Sequence, residues 1–330
     1  MFKKLKRLLD KLKPKNALLL CHQNADPDAV LSAFALANLL SKKFSKVKTE
    51  LVAESQNKVS KKFTDYLKID LKAEIPSRDF GIVFLVDTNN VAQLGALKES
   101  LENLEAPIVI IDHHTPHPQA HEIAALQLLD EKCNSTAEII CRLYREAGVR
   151  ITSSEAFALL AAMVYDSRRF LITSKDTFLN VVQLIAHGAN YAKAISMLQT
   201  PLDNSERTAR FKAAQRMKLH RIDDWIVATS RVSAYEASAC RALIDIGADI
   251  AIVGAEQDKV VRISGRSRTK VYKSTGLHLG KHVMIPVGPI IGGEGGGHPT
   301  AAGCNGTKNL KKGMSKALEI IKNHLAHSEK

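Results

Sequence analysis

The chain's 330 residues amount to roughly two typical domains, and two domains are the starting expectation. With 45% hydrophobic and 25% charged residues, each half has ample apolar material for a packed core, which excludes disordered, collagen-like and coiled-coil chains. The 47 Lys+Arg against 34 Asp+Glu leave a formal charge of +13, which implies an anionic partner.

The five cysteines, Cys21, Cys133, Cys141, Cys240 and Cys304, include no C-x-x-C pair that would make a zinc or redox motif. They are expected to be reduced thiols in a cytoplasmic protein. The charged opening, MFKKLKRLLDKLKPK, is not expected to be a secretory signal, and no run reaches transmembrane length.

In chain order, residues 1–14 come first as an amphipathic basic helix. Phe2, Leu5, Leu9 and Leu12 recur at helical steps, and seven Lys/Arg face the single Asp10 within the first fifteen residues. Such a helix is expected to dock on the body with a solvated face; a membrane-surface or nucleic-acid contact is the alternative. After Pro14, apolar runs alternate with helical patterns, the signature of βαβ units around a parallel sheet. Four apolar stretches end on a potential ligand: ALLLC leads to His22, IVFLV to Asp87, PIVII to Asp112, His113 and His114, and AAMV to Asp166. The first three read as buried parallel strands and the last as a helix end. Sites in open α/β sheets form beyond the carboxyl ends of strands, so these residues are expected to meet.

Ser135, Thr136, Ala137 and Glu138 have the S-x-x-E form of a capping box ahead of a helix. The helical pattern continues over 175–199, TPLDNSE interrupts it, and the next helix is expected to start at Asp203 or Ser205. That helix is expected to carry Arg207, Arg210, Lys218 and Arg221 on one face. Strand-like WIVATS, AIVGA and VVRIS follow, then a glycine-rich stretch and a last helix over 310–325. The expected domains are residues 1–198, a linker and connecting helix over 199–222, and residues 223–330.

The chemistry begins in the loop His22-Gln23-Asn24-Ala25-Asp26-Pro27-Asp28-Ala29, which sets an imidazole beside two carboxylates stiffened by Pro27. Two carboxylates so close repel each other unless they are protonated or bridged by a cation. With Asp87, Asp112, His113, His114 and Asp166 added, the set exceeds what one ion needs. Histidines and aspartates without cysteine suit manganese or magnesium, with zinc, cobalt or iron as alternatives. A pair of such ions can stabilise the attacking and leaving oxygens at phosphorus, so phosphoester or phosphoanhydride hydrolysis is the implied chemistry. Further on, Gly292, Gly293, Gly295, Gly296 and Gly297 with His298 are expected to form a loop whose amides approach a phosphate closely.

The order HQNADPDA at 22–29, VD at Asp87, IDHH at 111–114, YD at Asp166 and GGGHPTAAG at 295–303 resembles the DHH phosphoesterases that carry a DHH-associated C-terminal domain. The resemblance covers residues 17–306 and looks nearest to stand-alone nanoRNase/pAp phosphatases and RecJ-like archaeal members. It implies an α/β fold: an N-terminal domain with a mainly parallel sheet flanked by helices, a helical linker, a smaller α/β C-terminal domain with a mixed sheet, and an active site in the cleft between them. It further implies two metal sites, His22, Asp26 and Asp87 for one ion and Asp28, Asp87, His113 and Asp166 for the other, with Asp87 bridging. Asp112 would orient a neighbouring histidine, and His114 would face the scissile phosphate. His298, Gly296 and Gly297 would hold substrate, and Arg266 would contact a non-scissile phosphate. Three stretches depart from the common pattern: Ala25-Asp26-Pro27-Asp28, Thr115-Pro116-His117-Pro118, and Asp166-Ser167-Arg168-Arg169-Phe170. In the last of these, Arg168 is a candidate grip on substrate phosphate.

The resemblance thus implies a manganese-dependent phosphodiesterase or exonuclease acting on short single-stranded oligonucleotides with two divalent ions. Magnesium or cobalt are the alternative metals. A phosphatase of pAp or other small nucleotides, a cyclic dinucleotide phosphodiesterase, and a replication or repair nuclease or scaffold bound to a protein partner are the competing readings. A homodimer is also open. Aromatic residues are only 5% of the chain, which points to recognition led by phosphate contacts over base stacking.

Overall fold

Residues 16–20 and 82–86, NALLL and IVFLV, carry no alternation because both of their faces are covered. In the computed structural model, which describes residues 1–118, 120–199 and 202–326, they lie at the centre of a six-stranded parallel sheet. Its strands are β1 (Asn16–Leu20), β2 (Lys48–Val52), β3 (Leu71–Lys72), β4 (Ile82–Val86), β5 (Ile108–Asp112) and β6 (Ala124–Leu129), in the order β3-β2-β1-β4-β5-β6. Leu19, Phe84, Val109 and Ile111 face one core, which includes helices Pro27–Lys43, Thr136–Ala147 and Ser153–Asp166. Leu18, Leu20, Val83, Leu85 and Ile110 face the other, against Leu94, Leu97 and Leu101. The unit spans Met1–Thr200.

The opening helix, Phe2–Leu12, is docked on this unit: Phe2, Leu5 and Leu9 are buried in the first core, and the chain's amino group pairs with Glu146 at 2.8 Å. No helix among the described residues is long and apolar enough to cross a membrane. All five cysteines are buried and unbridged.

The second unit, Pro201–Lys330, has a mixed sheet in the order β11-β12-β10-β9-β8-β7. Its strands are β7 (Lys218–Ile222), β8 (Trp225–Val232), β9 (Ile250–Gln257), β10 (Val260–Ser267), β11 (Glu294–Gly297) and β12 (Ala301–Gly306), with β8 and β9 parallel and the other pairs antiparallel. One face packs on helix Leu310–Ala326 through Val227, Ile252, Val261 and Ile263. The other packs on helices Asn204–Gln215 and Glu236–Asp245 through Ala228, Ala251 and Val253. Residues 204–222, part of the 199–222 stretch expected to be a linker and connecting helix, pack within this unit.

Two expectations change here. Arg207 and Arg210 are helical, but Lys218 and Arg221 are not: the helix stops at Gln215, and KLHRI becomes β7, folded onto β8 by a two-residue Asp223-Asp224 turn with Asp223 at φ 49°. The side chains of Lys218 and Arg221 therefore lie on opposite faces of a strand. The segment Glu294–Gly297 is an edge strand paired with β12, not a loop. Its glycines fit because Gly295 and Gly297 meet neighbouring backbone where a Cβ would sit.

Candidate metal centre

The strand order runs one way from β1 to β3 and the other way from β4 to β6, so the crevice beyond β1 and β4 is the switch point where a binding site is expected. The residues after β1, β4 and β5 converge there. With the end of helix Ser153–Asp166 they line a cavity of about 360 Å³ that includes His22, Asp26, Asp87, His114 and Asp166.

Each acid is fixed by backbone donors. Asp26 caps helix Pro27–Lys43, accepting the N–H groups of Asp28 (2.9 Å) and Ala29 (3.1 Å), with Pro27 preset at the first helical position. Asp28, fully buried, accepts the N–H groups of Thr136 (2.6 Å) and Ala137 (3.1 Å). It thereby caps helix Thr136–Ala147 in place of Ser135. Ser135 makes no capping bond and its buried hydroxyl has no partner, while Glu138 turns to Thr177 at 2.9 Å. The capping box read from the sequence is therefore absent. A carboxylate brought from helix Pro27–Lys43 outcompetes the local hydroxyl for the same donors. Asp87 sits at φ 62° with its N–H on Ile111 O at 2.9 Å, a left-handed conformation that costs roughly 1–3 kcal/mol in a non-glycine residue. Asp112, fully buried, accepts the N–H groups of His113 (2.8 Å) and His114 (3.2 Å) and the ring Nδ1–H of His114 (2.8 Å).

The three histidines share one orientation. Nδ1 of His22 donates to Gln23 O (2.8 Å), that of His113 to Cys133 O (3.3 Å), and that of His114 to Asp112, which leaves Nε2 as the second nitrogen each ring can offer. His22 Nε2 lies 4.0 Å from Asp26 and 3.9 Å from Asp87. His113 Nε2 lies 3.6 Å from Asp87 and 2.9 Å from Asp166, yet it is buried and not aligned for a hydrogen bond to either. Ligand atoms of His22, Asp26 and Asp87 all fall within 4.8 Å of one another, as do those of Asp28, His113 and Asp166. So do those of Asp87, Asp112, His113 and His114. An orphaned, buried imidazole nitrogen among carboxylates fits a divalent cation.

The electrostatics agree. Burial, then Asp28, Asp26, Asp112 and Asp166, hold the Asp87 carboxyl well above its usual range. Burial and the charge of Asp166 push Asp28 up to about 7, and Asp26 is raised chiefly by burial. Burial opposes charge on His113, but Asp166 and Asp28 outweigh it and raise the ring to about 9. The hydrogen bond to Asp112 raises His114. These groups cannot all be ionised side by side without a counter-charge.

Sequence reasoning missed several side chains. Thr136 donates its hydroxyl to Asp87 at 2.8 Å, and Asn89 donates to the free oxygen of Asp112 at 2.6 Å. Gln23 and Gln93 help line the cavity. Asn89 was signalled by the polar run Asp87-Thr88-Asn89-Asn90 after a buried strand; Thr136 had only a helix-start signal.

Arg168 follows Asp166 in an exposed turn in which Arg168, Arg169 and Phe170 all hold positive φ (50°, 58° and 66°). Phe170 anchors that turn on Phe178 and Tyr191, with ring centroids 5.5 and 6.2 Å apart. In the second unit, Arg266 ends β10, and exposed His298 closes the β11–β12 turn with its N–H on Ala301 O at 2.8 Å. A Cβ at Gly296 would meet nothing within 4 Å, so packing does not demand glycine there. Arg268 instead serves structure, donating to Ala248 O and Ile244 O at 3.2 and 2.9 Å.

A DHH family N-terminal domain matches residues 16–163 and a DHHA1 domain matches residues 227–326. The uncharacterized protein MJ0988 of Methanocaldococcus jannaschii is 34% identical over 318 residues, 96% of this chain and 94% of that protein. The cyclic-di-AMP phosphodiesterase GdpP of Bacillus subtilis is 29% identical over 250 residues, 74% of this chain and 36% of that protein. A probable manganese-dependent inorganic pyrophosphatase of Bacillus cereus is 32% identical over 165 residues, 47% of this chain and 49% of that protein. With both domain types in order and a relative matched along nearly its whole length, the chain belongs to the DHH family of metal-dependent phosphoesterases, a DHH domain followed by a DHHA1 domain.

Proposed function

We propose that the chain is a manganese-dependent phosphodiesterase of short single-stranded oligonucleotides. One ion would be held by His22, Asp26 and Asp87, the other by Asp28, Asp87, His113 and Asp166. The observation that carries this reading is the position of Asp87, a buried carboxylate 3.9 Å from His22 on one side and 3.6 Å from His113 on the other. The mixed Asp/His donor set without cysteine suits manganese, the metal named for the pyrophosphatase relative. Divalent ions held there supply Lewis-acid activation of water and counter-charge for the phosphoryl oxygens.

The protein's own part is placement. Asp112 holds His114 through Nδ1, so that Nε2 faces the cavity, where it binds the scissile phosphate or hands a proton to the leaving oxygen. Arg168 pairs with a substrate phosphate. In the second unit, Arg266, His298, Gly296 and Gly297 are the substrate contacts of this reading. The five thiols are buried and unbridged, which accords with a reducing, cytoplasmic site of action.

The likeness to GdpP favours one second reading, a cyclic dinucleotide phosphodiesterase. Hydrolysis of dinucleotides, longer single strands, pAp, cyclic di-AMP and pyrophosphate in manganese separates the two. Preference for linear dinucleotides and short strands supports the first; turnover confined to the cyclic substrate overturns it. Asp87→Ala should abolish turnover and manganese binding together, and full manganese-dependent hydrolysis by that variant would falsify the metal assignment.

A further inference from the structure

The second unit holds a cavity of about 570 Å³ between the β7 edge of its sheet and helix Leu310–Ala326. Strand register fixes its wall. Lys218 pairs with Thr229 and His220 with Val227, and directly opposed residues point to the same face. Val227 packs in the core beneath helix Leu310–Ala326, so Lys218, His220, Thr229 and Arg231 face that helix too. The helix returns Lys311 and Ser315, one turn apart, and Arg216 closes the end.

The lining contains four permanent cations and no carboxylate. Among the described residues, the ion pairs of this unit involve Arg210, Arg262, Arg268 and Lys316, none of them in the cavity. Unpaired like charges gathered in a concavity raise the local potential and draw in an anion. Burial, then Lys322 outside the cavity and Lys218 within it, hold the His220 ring below its usual range. Ser315 adds a neutral donor, the Thr229 hydroxyl shares a hydrogen bond with His220 at 3.1 Å, and no Phe, Tyr or Trp is present for a base to stack on.

This cavity is separate from the residues assigned to substrate. Arg266 alternates with Ile263 and Val261 along β10 and so lies on the opposite face of the sheet, while β11, which leads into His298, is the opposite edge. We propose that the cavity is a second anion site, one that binds a chain of phosphates by its backbone charges. The source is a single-stranded nucleic acid or an inorganic polyphosphate. The binding claim does not depend on the hydrolytic reading above.

The test is equilibrium binding of a fluorescein-labelled 16-nucleotide single strand to the full chain in EDTA, where nothing is cleaved. The variant K218A/R231A/K311A should lose about tenfold in affinity, and its slope of log K against log salt should fall by roughly two, about 0.7 per lost phosphate contact. The charge-matched control R207A/R221A/K259A removes three exposed cations that do not line the cavity, and it should change affinity less than about threefold. Inorganic tripolyphosphate should displace the strand where orthophosphate at the same phosphorus concentration does not. Tripolyphosphate as tight as the strand identifies the phosphate chain as the ligand, and a tighter strand identifies nucleic acid. Equal losses in the two triple variants, no loss in the first, or displacement by orthophosphate would overturn the site.

Discussion

The Asp28 carboxylate accepts the backbone N–H of Thr136 at 2.6 Å, tying helix Pro27–Lys43 to the start of helix Thr136–Ala147 across 108 residues of sequence. The same carboxylate lies in the group with His113 and Asp166. One side chain thus closes a helix and offers charge to a cation, and two substitutions separate the roles. Asp28→Asn keeps an oxygen for one of the two amides but sets an NH₂ against the other and removes the charge, so the metal-free protein should lose less stability than with Asp28→Ala while bound manganese falls from two equivalents to one. Asp28→Ala removes the cap as well and should cost about 2 kcal/mol in the metal-free state. Calorimetry with metal analysis checks both; full manganese occupancy in Asp28→Asn would remove Asp28 from the ligand set.

The pH dependence of stability follows from the same cluster. Asp28 rises from an ordinary 3.8 to about 7 and His113 from 6.5 to about 9, so the folded, metal-free chain holds protons that the unfolded chain has released. Wherever the folded state binds more protons, stability falls as pH rises. For Asp28 that loss runs from near its ordinary value up to about 7, and for His113 from 6.5 up to about 9. Manganese takes the place of those protons, so its stabilising effect should grow with pH. Melting curves with and without EDTA at about pH 5.5 and about pH 8.5 should show the larger metal-induced rise at the higher value. A rise that is equal at both, or larger at the lower, contradicts the account.

Much of this centre was legible because its ligands end elements of strong pattern. Leu18, Leu19 and Leu20 announce a doubly buried strand, and the chain must then leave the sheet where His22 stands. Long-range competition was not legible: nothing local to Ser135 shows that Asp28 would take its donors. Strand β7 was misread because KLHRI is an edge strand whose exposed residues alternate too weakly to outweigh the helical spacing of its basic residues. The glycine strand was misread because glycine has low strand propensity, whereas close backbone packing dictated it here.

That packing separates two neighbouring glycines. A Cβ at Gly295 would collide with the Met284 carbonyl and come within 2.9 Å of Cys304 Cβ, whereas one at Gly296 would stand in open space. Gly295→Ala should therefore destabilise the second unit by roughly 1–3 kcal/mol. Gly296→Ala should leave the melting temperature unchanged and raise KM for an oligonucleotide about tenfold by blocking close approach of a phosphate. Unchanged KM in Gly296→Ala would remove that residue from the substrate contacts.

His114 supplies the last test, because its exposed ring, 4.2 Å from the His113 ring, is oriented by its hydrogen bond to Asp112. Its Nδ1–H reaches Asp112 at 2.8 Å, and Asn89 donates to the other oxygen of that carboxylate at 2.6 Å. In Asp112→Asn one of those two donors must face an amide NH₂, so the ring loses its fixed orientation. The hydrogen bond that raises the His114 pKa is weakened at the same time. A histidine that works protonated then loses its proton at lower pH, and the descending alkaline limb of kcat should move downward. The loss in kcat should be about 10–100-fold, with both manganese equivalents retained, since removing a group that orients another typically costs that much. Asn89→Ala, which leaves the carboxylate in place, should keep the alkaline limb near its original position with a smaller loss. If Asp112→Asn lowers kcat without moving the limb, Asp112 acts only by bracing the backbone of His113 and His114, and the assignment of His114 as proton carrier fails.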